Sequence, residues 1–191
     1  MVYYHTSNIV EPPAFIYVGK DKVESRPTRQ KNPAHKPNAD RCRDEDLIAH
    51  GWTQDVWFHV DNLSSAHIYL RMRDNETWDG IPQELLTDCA QLTKANSIEG
   101  NKKDNVTVIY TPWSNLKKTG GMAMGQVGFK DNKLVRRVYV EKRENAIVNR
   151  LNKTKVEKYP DLRLEKAEME KEVRRKDRIA AQEKVSLFSS L

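Results

Sequence analysis

The sequence predicts an α+β fold, in which a mostly antiparallel sheet packs on one main helix and a long charged helix follows at the C-terminal end. Short apolar runs of strand length recur through residues 1–140 and are separated by turn residues. Residues 82–96 instead repeat their apolar side chains at helical spacing. Beyond residue 140, Glu, Lys and Arg dominate the composition. We therefore expect a folded domain over residues 1–140 and a charged helical tail over residues 141–191.

The strands are predicted from alternating or continuous apolar residues that end at Gly, Pro, Asn or Asp. Their expected ranges are 2–4, 15–18, 56–60, 67–71, 106–110, 126–129 and 134–140. Two helices are expected between them. An acidic first turn predicts a short helix from Asp44 to Gly51, and Pro82 suits the first turn of the main helix over 82–96. Residues 114–124 are expected to be a loop.

The positive charge of the chain is segregated. Residues 44–140 hold 11 basic and 13 acidic residues, whereas residues 25–43 hold six basic residues and one acidic residue. Residues 25–43 also contain three prolines and no aliphatic residue larger than Ala, so this segment is expected to be disordered or extended. Basic segments outside a near-neutral core suit a polyanionic ligand, although such runs are just as often solvated surfaces.

The tail is predicted to be a single exposed helix with ion pairs between residues four apart. Ile147, Leu151 and Val156 form a first apolar stripe, and Pro160 interrupts it because proline cannot donate a backbone hydrogen bond. The later apolar residues are too sparse for a coiled coil. An amphipathic helix of this kind could instead dock on a partner protein. Such docking is the alternative to the binding of a polyanionic ligand.

The strands over 56–60 and 67–71 are expected to pair as a hairpin with two different faces. One face is aliphatic and belongs to the core. The other, called the hairpin face, carries rings, imidazoles and charged groups: Trp57, His59, Asp61, His67, Tyr69 and Arg71. Aromatic rings stack on nucleobases, and arginine and imidazole reach phosphates or base edges. The hairpin face is therefore the predicted nucleic-acid site.

Two basic loops are expected to flank the hairpin face. One carries Lys20 and Lys22, and the other carries Lys117 and Lys118 next to a pair of glycines. Glycines allow backbone amides to approach a phosphate, so these four lysines are included in the predicted nucleic-acid site. The same residues also occur in ordinary surface loops.

The residues of the hairpin face are also consistent with purely structural roles. His59 and His67 are each explained as well by hydrogen bonds to neighbouring hydroxyls, and Trp57 by capping the edge of the core. A metal site with Asp61 lacks further evident ligands, and a histidine–serine pair lacks a nucleophile-elbow motif. The sequence therefore predicts no catalytic residue, no metal and no cofactor, and we expect a protein that is not an enzyme.

The sequence shows no sign of export or of a membrane span. The first ten residues lack the basic start and apolar stretch of a signal peptide, and the apolar run at 106–110 is too short to cross a bilayer. The two cysteines, Cys42 and Cys89, form no CxxC motif, and low cysteine content is typical of a reducing compartment. A cytoplasmic location is expected.

Several ordered blocks of the sequence resemble the NFACT-R domain family. These blocks are VGKDKVE, DEDLIAHGWTQDVWFHVDNLSSAHIYLR, LLTDCAQLTKANSIEG, VIYTPWSNLKK and GQVGF. The resemblance covers about residues 1–24 and 44–163, and residues 25–43 stand out as an insert. The tail is shorter than the family pattern leads us to expect.

The resemblance implies a function as well as a fold. The family is thought to bind nucleic acid and includes C-terminal modules of ribosome-associated quality-control proteins. It therefore implies binding of RNA or DNA without catalysis. The amphipathic tail, by its own pattern, is a candidate docking element for a ribosomal or translation-factor partner. A related protein acts as a surface-displayed receptor for extracellular DNA, so unconventional display at the cell membrane is an alternative.

Overall fold

The protein is described from a computed structural model over residues 1–19, 43–74, 76–123 and 125–189. Its chain divides into two compact units, Met1–Tyr159 and Pro160–Leu191. Lys20, Lys22 and the predicted insert up to residue 42 lie outside the described residues.

The first unit is built on an antiparallel sheet. The described strands are β1 (Val2–Ser7), β2 (Ala14–Gly19), β3 (Asp55–Val60), β4 (Ile68–Arg71), β5 (Val106–Pro112), β6 (Leu116–Lys117), β7 (Gly128–Phe129), β8 (Arg136–Val140) and β9 (Val156–Lys158). Seven of them pair in the order β8-β5-β3-β4-β2-β1-β9, with every pair antiparallel, and β6 pairs with β7 as a separate ribbon. The helices are α1 (Arg43–His50), α2 (Gln83–Ala95), α3 (Asn145–Lys153) and α4 (Leu162–Ser189). The predicted α+β class is confirmed.

The main core lies between the sheet and α2. The inward side chains of β3 and β4 are those that the alternation assigns to the core: Val56, Phe58, Val60, Ile68 and Leu70. On α2 the predicted apolar stripe, including Leu85, Cys89 and Leu92, is buried against them. Complete burial of one large apolar side chain contributes roughly 1.5–3 kcal/mol, so this layer contributes strongly to the stability of the fold.

A polar network holds α3 against the sheet and α2. The Ser7 hydroxyl donates to Asp88 Oδ2 at 2.5 Å, and Arg150 donates to both carboxylate oxygens of Asp88 at 2.6 and 3.1 Å. A ring nitrogen of His5 lies 3.1 Å from the carbonyl oxygen of Leu151, whose side chain is fully buried. Asp88 on α2 therefore joins β1 to α3, two elements that are distant in sequence.

The first unit extends past the domain boundary predicted at residue 140. Val148 and Leu151 of α3 are buried, and β9 pairs with β1 from Val2 opposite Lys158 to Tyr4 opposite Val156. Val156 therefore lies in a strand and not in the predicted helical stripe. An unpaired sheet edge carries free backbone donors and acceptors, and β9 satisfies those of β1.

Local differences also occur near residues 113–140. The predicted loop over 114–124 includes part of a 3₁₀ turn at Trp113–Asn115 and the short strand β6. The strand predicted over 134–140 begins later, at Arg136, because a 3₁₀ turn occupies Asn132–Leu134. The Asp131 side chain accepts a hydrogen bond from the Lys133 amide and stabilises that turn.

The second unit consists mainly of α4, which is exposed to solvent over most of its described length. Arg174 pairs with Glu170 at 3.3 Å and Arg175 with Glu172 at 2.7 Å, as expected for an exposed helix stabilised by ion pairs. Within the part of the chain that the structure describes, none of the helices combines the length and the apolar content needed to span a bilayer.

The position of α3 leads to a stability test. Leu151→Ala should destabilise the first unit by about 2–5 kcal/mol, because it leaves a cavity beneath α3. The control Ile179→Ala, on the exposed tail, should change stability by less than about 0.5 kcal/mol. Denaturant unfolding followed by tryptophan fluorescence measures both, since all four tryptophans precede residue 114. If Leu151→Ala changes the free energy of unfolding as little as Ile179→Ala does, α3 lies outside the cooperative unit.

Candidate nucleic-acid interface

The structure brings the hairpin-face residues together, but it buries three of them. The register aligns Trp57 with Tyr69 and Tyr69 with Tyr17, and the rings of Tyr17 and Tyr69 stack at 4.9 Å with an angle of 7°. Trp57 is 2% exposed, His67 3% and Tyr69 0%. A base could stack on these rings only if their cover opened, and their contact with nucleic acid stays a prediction.

The cover consists of α1 and the β6–β7 ribbon. On α1, Leu47 and Ile48 are buried. Phe129 of β7 meets the Trp57 ring edge-on at 5.8 Å. Behind α1, the Trp113 indole nitrogen donates to the carbonyl oxygen of Ile48 at 2.8 Å, which fixes the end of the helix. The central strands are thus covered on both sides.

Lys118, a predicted phosphate ligand, connects the two parts of the cover. Its ammonium donates to Glu45 Oε1 at 2.8 Å and to the carbonyl oxygens of Ala123 and Gln126 at 2.7 and 2.9 Å. The Gly125 amide also donates to Glu45, at 2.6 Å. Burial opposes ionisation of Glu45, but the bonds from Lys118 and Gly125 lower its pKa overall. Lys118 has three donors, and all three have structural acceptors.

Lys117 differs from its neighbour because its side chain is exposed on β6. Of the four lysines predicted to flank the site, Lys117 is therefore the described one that faces solvent. It lies on the same ribbon as Phe129, beside the covered aromatic rings.

His67 is a buried histidine with structural partners. Its Nδ1 accepts a hydrogen bond from the Trp57 indole nitrogen at 2.8 Å, so the neutral ring carries its proton on Nε2. Burial, followed by the nearby charge of His59, lowers the pKa of His67 to about 3. This arrangement matches the alternative in which the histidine is satisfied by its neighbours, with an indole in place of the expected hydroxyl.

Arg71 is held by a buried carboxylate. Its Nε lies 3.0 Å from Asp55 Oδ1, and its guanidinium stacks 3.5 Å from the Trp52 ring and 5.0 Å from the Tyr17 ring. The Tyr17 hydroxyl donates to the same carboxylate. Burial, together with the Asp55 charge, raises the pKa of Tyr17 well above its usual value. Much of the Arg71 charge is therefore neutralised inside the protein.

The remaining hairpin-face residues, His59 and Asp61, lie at or just after the C-terminal end of β3 and are linked to β8 at the sheet edge. His59 and Asp61 are half-buried. His59 lies opposite Ile109, and Ile109 lies opposite Arg137 of β8. Asp61 Oδ2 is 3.5 Å from Arg137 Nε. Tyr139 follows Arg137 on the same side of β8, so polar and aromatic groups reach solvent at this end of the face.

A dense group of basic residues surrounds β8, which is the last strand on its side of the described sheet. Residues 128–143 contain six basic and two acidic residues. All six basic side chains are exposed, and together they are called the basic edge: Lys130, Lys133, Arg136, Arg137, Lys142 and Arg143. Their number gives this part of the chain a positive charge on a domain that is otherwise near neutral.

The sequence prediction missed the basic edge because its charge windows divided at residue 140. That division separated Lys142 and Arg143 from the rest and averaged the others with distant acidic residues. Strand alternation over residues 136–140 is the signal that would have found it, because it places Arg137 and Tyr139 on one side.

The described residues offer little for metal or thiol chemistry. Among them, no group of three or more His, Cys, Asp or Glu side chains is arranged to hold a metal ion. Cys89 is a buried free thiol in the α2 core, where burial raises its pKa.

Comparison with known proteins identifies the family. Residues 38–131 match the family model described as the NFACT protein RNA binding domain. The Danio rerio protein named coiled-coil domain-containing protein 25 is 53% identical over 174 residues, which are 91% of this chain and 75% of that protein. The chain belongs to the coiled-coil domain-containing protein 25 family. The resemblance seen in the sequence is confirmed.

Other members of the coiled-coil domain-containing protein 25 family extend the comparison. The Mus musculus protein of that name is 50% identical, over 96% of this chain and 79% of its own length. The Dictyostelium discoideum homolog is 42% identical, over 87% of this chain and 71% of its own length. The similarity thus crosses distant lineages.

One solved structure shares the fold. It is the C-terminal part of the fibronectin/fibrinogen-binding protein from Streptococcus suis, with a TM-score of 0.54 and 17% identity. The match covers 80% of this chain and 48% of that one. At this level of identity the likeness concerns architecture.

The environment of His67 leads to a pH test. Because its pKa is lowered in the folded state, only the unfolded chain gains a proton as the pH falls below 6.5. The stability that neutral His67 contributes to the fold is complete above pH 6.5 and is lost as the pH falls towards 3. NMR titration should show a neutral His67 ring at pH 5.

A second variant tests the cause of the shift. His59→Gln should raise the pKa of His67 partway, because it removes a positive neighbour. His67→Gln should weaken the dependence of unfolding free energy on pH between 6.5 and 4. A wild-type His67 that titrates near 6.5 would contradict the buried arrangement.

Proposed function

We propose that this protein binds RNA without catalysing a reaction, and that the basic edge makes the leading contacts. The observation that carries the proposal is the set of six exposed basic side chains around one edge strand. The family model described as an RNA binding domain supports RNA binding: it matches residues 38–131, which include β3, β4 and β5 of the sheet and the β6–β7 ribbon, and it ends before β8.

Binding along the basic edge should be led by phosphate contacts. Lysine and arginine neutralise phosphates and release counterions, which gives affinity with little sequence preference. The edge is also open, because β8 has a described neighbour on one side only. A flexible strand of RNA can therefore lie along it without displacing the cover of the hairpin face.

The absence of catalysis is part of the proposal, and the imidazoles support it. His67 is locked by Trp57, and His59 Nδ1 lies 2.7 Å from the carbonyl oxygen of Val60. Two histidines with structural partners are poor candidates for a general base. The resemblance to modules of ribosome-associated quality-control proteins makes ribosomal RNA the first natural ligand to test, with DNA as the comparison.

The basic edge can be tested by removing two charges. Arg136→Ser combined with Arg137→Ser should lower affinity for a fluorescent RNA oligomer roughly ten-fold at moderate salt, because two phosphate contacts are lost. The slope of log affinity against log salt should fall by about 1.4 for a single strand. Fluorescence anisotropy at several salt concentrations measures both quantities.

The matched control is Arg174→Ser with Arg175→Ser, which removes the same charge from α4. These two arginines belong to α4 and not to the proposed contact surface around β8, so the control should bind RNA like the wild type. Equal losses in the two variants would show that net charge, and not the basic edge, governs binding. Absence of binding by the wild type at low salt would disprove the proposed function.

A second candidate function is docking on a partner protein through α4. Residues spaced at helical intervals give this helix one thin apolar stripe: Leu162, Met169, Val173 and Ala180. Val173 is among the exposed large apolar residues. Such a stripe suits a partner helix or groove.

Ribosome co-sedimentation distinguishes the two candidates. Deletion of residues 160–191 removes the tail and leaves the first unit intact, because that unit ends at Tyr159. If α4 is the docking element, this deletion should abolish co-sedimentation, while the Arg136/Arg137 variant should retain it. The reverse pattern would assign ribosome association to the basic edge.

A further inference from the structure

We propose that the RNA on the basic edge is single-stranded and that one of its bases stacks on Tyr139. This inference rests on the proposed function and specifies its ligand. Tyr139 is 63% exposed, and along the chain it follows Arg137 and precedes Lys142 of the basic edge. Exposed tyrosine rings on a sheet surface are natural platforms for nucleobases, because every base has an aromatic face.

The Tyr139 ring is held in place by a bond to the neighbouring strand. Its hydroxyl donates to Asn105 Oδ1, and Asn105 immediately precedes β5. Asn105 has a left-handed backbone with φ of 57°, and its amide donates to the Glu141 carbonyl oxygen at 2.7 Å. The ring is therefore drawn across the sheet towards β5 instead of projecting freely from the edge.

Such a fixed ring lowers the entropic cost of binding. A free tyrosine side chain must be ordered when a base stacks on it, whereas this ring is restrained beforehand. Asparagine tolerates the left-handed region better than most residues, so it can place an acceptor at this turn without a large backbone penalty. Asn105 thus acts as a positioning residue for Tyr139.

Charged groups complete the platform. Arg137 lies two residues before Tyr139 on the same side of the strand, a separation of about 6.8 Å along the chain axis. Arg137 is held on one side by Asp61 and has a 66% exposed side chain, so it can meet the phosphate of a stacked nucleotide. Lys142 and Arg143 lie beyond the end of β8, where the strand of RNA would continue.

The geometry favours a single strand over a duplex. In a duplex the faces of the bases stack on one another, and the surface offers phosphates and base edges. A side chain can enter that stack as a wedge, but a wedge must project from the protein. The Tyr139 ring is restrained at its hydroxyl, and it therefore suits a base that is already unstacked.

The test compares one RNA strand with its own duplex. The probe is a fluorescein-labelled 12-nucleotide RNA without self-complementarity, measured by anisotropy alone and annealed to its complement. The wild-type 191-residue chain should bind the single strand more tightly than the duplex. Tyr139→Leu should weaken single-strand binding roughly ten-fold, which corresponds to the loss of one stacked base, and should change duplex binding little.

Three further variants separate stacking from other effects. Tyr139→Phe keeps the ring but loses its bond to Asn105, so it should weaken single-strand binding less than Tyr139→Leu does. Asn105→Gly keeps the left-handed backbone but removes the acceptor, so it should give an intermediate loss. Tyr159→Leu removes an exposed tyrosine that follows β9, at the opposite sheet edge, and should have no effect.

Three results would count against base stacking on Tyr139. If the wild type binds strand and duplex equally and Tyr139→Leu alters neither, the inference is overturned while RNA binding stands. The inference also fails if Tyr139→Phe is as weak as Tyr139→Leu, because the ring is then not the contact. If the wild type binds neither RNA at low salt, both the inference and the proposed function fail.

Discussion

The central strands β3 and β4 are buried on both faces, and this constraint determines the arrangement of the rest of the first unit. On one face α2 packs against Phe58 and its aliphatic neighbours. On the other face Trp57 and Tyr69 lie beneath α1 and the β6–β7 ribbon, which are far apart in sequence. The ion pair between Glu45 and Lys118 joins the two parts of that cover. A short helix and a two-residue strand have little stability of their own, so they persist because they cover these rings.

Burial of the second face requires partners for its polar groups. Asp55 lies inside the protein with Arg71 and Tyr17 as partners, and His67 is neutral with the Trp57 indole as its donor. A buried polar group without a partner costs about 1–3 kcal/mol, and a charge costs more. Residue types that resemble a ligand-binding set in the sequence are thus explained largely by the needs of a polar interior.

Because the central strands are covered, the proposed surface for RNA lies at the exposed edge of the sheet. Charged residues on an edge strand also prevent pairing with another sheet. That role does not require an exposed tyrosine, and β8 carries one beside its basic residues. RNA binding at the edge also leaves the interior undisturbed, because Arg137 and Tyr139 already face solvent. In the proposed complex, the restrained Tyr139 ring would stack on a base and the flanking basic residues would contact phosphates.

Local spacing along the chain was sufficient to predict the fold class, most of the strands and the main helix, because period-two and helical repeats are properties of neighbouring residues. The same spacing placed Trp57, Tyr69 and Arg71 on one face. The folded chain was needed to show that this face is covered, that Lys118 bridges the cover and that α3 and β9 belong to the first unit. Alternation shows which side chains lie together, but burial depends on segments that return from elsewhere in the chain. The same reason explains Tyr139, whose exposure follows from the position of β8 at the edge of the sheet.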